Sequence, residues 1–123
     1  MTSVMPSAVY LQVATSILDG ALRLAGINQA RAAMWVTRRG LEELVGELLR
    51  QKSIDVGYGN MRSKLVCLAV AYKSRPDEIT AITMAWDQLS RGCHHHAYEL
   101  APTSGEARHV VETLRPIVQQ GGG

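Results

Sequence analysis

Apolar residues along this chain recur at steps of three and four, the spacing that lines them up on one side of an α-helix. The clearest run is Ile79, Ile82, Trp86, Leu89, Cys93, Ala97 and Leu100, which predicts one amphipathic helix over 77–100. Val9, Val13, Ile17, Leu18, Leu22 and Leu24 predict a first helix over 8–25, with Gly26 as its stop. Met34, Leu41, Leu44, Val45, Leu48 and Leu49 predict a second, capped by Asn28 and running to about Lys52. Gly40, after Val36-Thr37, weakens the middle of that helix and marks a place for a kink or break. Gly57-Tyr58-Gly59 makes 53–59 the main loop.

Asn60 caps a third helix over 61–73, with Leu65, Leu68, Ala69 and Tyr72 turned inward. Pro76 suits the first position of the fourth, with Asp77 and Glu78 near its positive end. Ala101-Pro102 closes that helix, and Thr103-Ser104-Gly105-Glu106 has the spacing of a capping box. A fifth helix then runs to about Val118 with Val110, Val111, Leu114, Ile117 and Val118 inward, and Pro116 is a point at which it can be cut short. Alternating Val/Ile/Tyr/Thr runs are absent. The pattern predicts an all-α, four- to five-helix bundle, one domain over 1–118 with a flexible tail over 119–123.

The length of 123 residues suits one domain that buries about two-thirds of its unfolded surface. No apolar run reaches the roughly 18 residues of a membrane helix, and 1–6 lacks the basic start and apolar core of a secretion signal. The expectation is a cytoplasmic protein with no membrane partner. Cys67 and Cys93 form no C-x-x-C pair and sit on apolar faces, so they read as small buried hydrophobes. The net charge of +2 does not by itself argue for nucleic acid. Its distribution is uneven: 20–75 carries ten Lys/Arg against four acids, and 76–123 three against six. A basic middle can attract phosphates, although ordinary solvated helix faces account for it equally well.

Candidate chemistry concentrates in Arg91-Gly92-Cys93-His94-His95-His96-Ala97-Tyr98. At about 100° per residue, Asp87, Arg91, His94 and Tyr98 fall opposite the apolar stripe, His95 beside them and His96 at the stripe's edge. Neighbouring histidines on a helix diverge by that same angle and do not converge on one ion, so no metal site and no cofactor is expected. A structural role for the cluster, in capping, pairing or an interface, is the plainest alternative.

Arg91, four intervening residues, His96 and Tyr98 match R-x4-H-x-Y. This resembles the signature of the HEPN superfamily, small all-α proteins with a general R-x(4–6)-H motif. The form with tyrosine is similar to HEPN toxins that pair with a nucleotidyltransferase antitoxin. The resemblance implies a HEPN-like fold and RNA binding or metal-independent RNA cleavage. It also implies a homodimer through the 77–100 helix whose two motifs share one cleft, with a nucleotidyltransferase antitoxin as a further partner. Arg91 would stabilise phosphate charge, His96 would shuttle the proton, and Tyr98 would assist, bind or be modified. Residue types fit: phosphoryl transfer needs a fixed cation and a group titrating near neutrality. Many active members carry a polar residue after the arginine, where this chain has Gly92. Motif spacing selects His96, while the helical wheel puts His94 and His95 nearer Arg91; His96 is taken, with His95 as the alternate. The competing reading is a non-catalytic helical interaction module, and a third is a ligand- or metal-binding regulatory domain.

Overall fold

Asn28, Asn60 and Thr103 each close the front of a helix, and these three caps fix much of the chain's course. The computed structural model describes residues 5–23, 25–57, 59–93 and 101–121. Among them all regular structure is helical: α1 Ser7–Leu18, α2 Gln29–Gln51, α3 Met61–Ala71, α4 Pro76–Cys93 and α5 Ser104–Gly121. The Asn28 carboxamide accepts from the Arg31 amide at 2.9 Å, and that of Asn60 from the Ser63 amide at 2.9 Å. Thr103 and Glu106 form the reciprocal box: the Glu106 amide donates to Thr103 Oγ1 at 3.1 Å and the Thr103 amide to Glu106 Oε1 at 3.2 Å.

α2 packs against each of the other four helices, α5 also meets α1 and α4, and α3 reaches α4. The apolar positions expected on α2 and α5 are all buried, joined by Ala14, Ala30, Ala32, Ala33 and Ala107. Gly40 does not break α2. A Cβ there would stand 2.6 Å from Tyr10 Cβ, so the glycine is where α1 presses against α2. Pro116 does not end α5 either; the helix continues to Gly121, and Pro116 faces solvent, where water can reach the Glu112 carbonyl it leaves unbonded.

Three expectations are corrected. α1 stops at Leu18 rather than near 25. Gly20 adopts φ +80°, its amide donates to the Ile17 carbonyl at 3.2 Å, and the Ala21 amide donates to the Ser16 carbonyl at 2.9 Å. This is a Schellman ending written by Asp19-Gly20. The buried seam of α1 is Ser7, Leu11, Ala14 and Ile17, with Val9, Val13 and Leu18 half-buried and Leu22 exposed. Ala69 of α3 faces outward; α3 buries Leu68, half-buries Leu65, and is tied down at its end by Tyr72. Cys67 and Cys93 are free thiols, half-buried against the core.

Two long-range polar contacts lock the helices. Pro6 offers α1 no side-chain cap, and α2 supplies one: the Ser7 amide donates to Glu47 Oε2 at 2.9 Å and Ser7 Oγ to Glu47 Oε1 at 2.7 Å. A carboxylate at a helix N-terminus also meets the positive end of the dipole. The buried Tyr72 hydroxyl donates to the Leu48 carbonyl at 2.6 Å. Burial pushes its pKa above the ordinary 10.0, against the opposing pull of the Arg75 charge.

Gly40→Ala is expected to cost about 1–3 kcal/mol in urea unfolding, because the added methyl meets Tyr10; an unchanged midpoint would show that α1 can move away. Tyr72→Phe should cost about 1–2 kcal/mol near pH 7 through the lost bond. Since the folded state holds the Tyr72 proton more tightly than the unfolded chain, stability is complete below pH 10.0 and falls as pH rises through the raised value. Unfolding curves for Tyr72→Phe should therefore decline less with alkali than those of the parent.

Candidate functional site

The end of α4 is fastened to α2 by three side chains a turn apart, Arg31, Met34 and Arg38. Arg31 Nη1 donates to the Gly92 carbonyl at 3.1 Å, in the last described turn of α4. Met34 lies directly over Gly92, so that a Cβ at that position would collide with the Met34 sulfur. The Arg38 guanidinium stacks on the Trp86 ring, 4.3 Å from its centroid, and pairs with Glu42 at 3.7 Å. A side chain at position 92 would thus require the end of the Met34 thioether to turn aside.

Arg91 stands differently. It faces solvent in the last described turn of α4, as does Asp87 one turn earlier. Among the described residues Arg91 makes no ion pair, in contrast to Arg39, which pairs with Glu43 at 3.0 Å, and Arg108, which pairs with Asp19 at 2.9 Å. The outward face expected for Arg91 and Asp87, opposite Ile82 and Leu89, is the one they occupy. His94, His95, His96 and Tyr98 lie outside the described residues.

Cys93, on the inward side of the same turn, is held as a thiol. Burial raises its pKa, and the nearby positive charges of Arg38 and then Arg31 only partly oppose this. It is therefore no ready nucleophile at neutral pH. Beside it, Ser90 Oγ and Arg38 Nε are buried without a hydrogen-bond partner among the described residues.

The chemistry open to the described part is electrostatic: an exposed guanidinium in the last described turn of α4, with no ion pair among the described residues. Arg31, Met34 and Arg38 were not singled out by their sequence pattern as holding this end. By its spacing Met34 reads as one of the apolar positions of α2. The available signal was the stripe Arg31-Met34-Arg38 itself, two cations and a flexible apolar chain at steps of three and four on the helix preceding the motif. Elsewhere, a cleft of about 500 Å³ is lined by Ser7, Glu47, Arg50 and Gln51, but Ser7 and Glu47 are already committed to each other.

Gly92→Ala should destabilise the fold by about 1 kcal/mol, since the buried but flexible Met34 thioether must turn aside. Met34→Ala combined with it should cost less than the two single changes added together. Strict additivity in urea unfolding would show that the two residues do not meet. Among known proteins, the chain matches no family model, no curated sequence and no solved structure.

Proposed function

We propose that this chain is a HEPN-type RNA-binding protein that cleaves RNA without a metal, the toxic member of a toxin–antitoxin pair. The observation that carries the reading is the spacing Arg91-x4-His96-x-Tyr98 in an all-helical chain, with Arg91 exposed at the end of α4. Two copies pair through the 77–100 segment and set their motifs around one strand of RNA. His96 withdraws the proton of a 2′-hydroxyl, O2′ attacks phosphorus, and the 5′-oxygen leaves with a proton supplied from the second copy. The products are a 2′,3′-cyclic phosphate and a 5′-hydroxyl. Arg91 carries the charge that builds on the phosphate oxygens, and Tyr98 orients the strand or accepts modification by a nucleotidyltransferase antitoxin. His95 takes the place of His96 if the helical register brings it closer to Arg91.

A second reading has its own support. Gly92 and its carbonyl serve packing against Met34 and Arg31, so the segment also makes sense as part of a non-catalytic interaction module.

Incubating the chain with single-stranded RNA in excess chelator separates the two. Cleavage to cyclic-phosphate ends is expected, with His96→Ala and Arg91→Ala each at least about 100-fold slower. A parent that cuts nothing, or a His96→Ala variant that cuts as well as the parent, removes the enzyme. A dimer that persists in light scattering without cleavage leaves the interaction module.

A further inference from the structure

α3 shows solvent a face that is apolar in its middle and cationic at both ends. Arg62, Ser63, Val66, Ala69 and Val70 lie along it, and Lys73 follows just beyond the helix; all are exposed. Val66 is 61% and Val70 70% accessible, although both are β-branched aliphatics one turn apart. Isolated exposed hydrophobics are common, but here two stack on a helix whose own buried contribution is Leu68. The segment 56–76 contains four basic residues and no acid. Arg75 pairs with Glu78, whereas Arg62, Lys64 and Lys73 have no ion pair among the described residues.

Charge decides what can cover this face. In a second copy laid antiparallel, Arg62 would meet Lys73; laid parallel, each would meet itself. Either way like charges oppose, so the face rejects its own duplicate. RNA would satisfy the cations but not the valines, and the face offers no aromatic ring to a base. We propose that the outer face of α3 docks an amphipathic helix of another protein, with a small apolar stripe and carboxylates at both ends. Arg62 and the last helical residue, Ala71, are nine positions apart, about 14 Å at 1.5 Å per residue, and Lys73 follows, so those carboxylates must lie about 14 Å or more from one another along the partner. The site does not include Arg91, His96 or Tyr98.

The probe is a fluorescent synthetic helix of about four turns, with paired glutamates at each end and leucine and alanine between them, titrated with the full chain in anisotropy. Saturable binding with a Kd of about 1–100 µM is expected, weaker at high salt. Val66→Ser with Val70→Ser should weaken it about tenfold or more, as should Arg62→Glu with Lys73→Glu. The charge-reversed chain should instead prefer the same helix with lysine ends, and His96→Ala should change nothing. Circular dichroism checks that the α3 variants, at exposed positions, remain helical.

The proposal is overturned if a scrambled peptide of equal composition binds as well, or if the serine variants keep full affinity. It is also overturned if phosphatidylserine vesicles bind the chain and the peptide fails to compete. Displacement of the peptide by RNA, with RNA binding lost in the charge-reversed chain but kept in the serine variants, overturns it as well. So does a concentration-dependent dimer that the serine variants abolish.

Discussion

The close approach of α1 and α4 to α2 is the constraint from which the rest of this structure follows. α2 touches every other helix, and it does so by presenting little where neighbours cross: Ala30, Ala32, Ala33 and Gly40 are all buried on it. At Gly40 the Tyr10 side chain takes the space of the missing Cβ, and at the α4 crossing the compliance is reversed, with Gly92 yielding to Met34. Close-packed interiors tolerate little extra volume, so Gly40 sets how closely α1 approaches α2. The weak helix propensity of Gly40 matters less than the contact it allows.

The same helix governs the segment of chemical interest. Arg31, Met34 and Arg38 hold α4 from Trp86 to Gly92 from one side, through a carbonyl, a backbone and a ring. Arg91 is left on the other side, facing water. The cations of this region are thereby separated by helix face: Arg31 and Arg38 contact α4 at the seam, and Arg91 faces outward. Gly92, which looks like a departure from a catalytic pattern, has a mechanical reason that says nothing against chemistry at its neighbours.

Much of the fold was legible in the sequence because it is written in strong local signals. Asn28, Asn60 and the Thr103–Glu106 box start helices where their hydrogen-bonding geometry requires, and the apolar stripes of α2 and α5 are the ones buried. What was misread depends on tertiary or three-residue backbone information. Leu22 and Leu24 extend the periodicity of α1 past Asp19-Gly20, yet the left-handed glycine ends the helix first. Pro116 looks like a terminator, but an exposed proline whose freed carbonyl can be solvated is compatible with helix, and Ile117 and Val118 still have core to fill. Ala69 was placed inside by spacing alone, although α3 meets the bundle along too narrow a strip to need it. For the site, the outward face of Arg91 could be read from the wheel; the fastening of α4 by α2 could not, because it joins residues some sixty positions apart.

That narrow strip has a dynamic consequence. α3 is closed in front by one asparagine and behind by the Tyr72 hydroxyl, with Leu68 as its one fully enclosed side chain. Segments with few buried apolar contacts open without the rest of a domain. The backbone amides of 64–71 should therefore trade their hydrogens with deuterated solvent sooner than those of α2 or α5, making α3 a separate cooperative unit on a more durable platform.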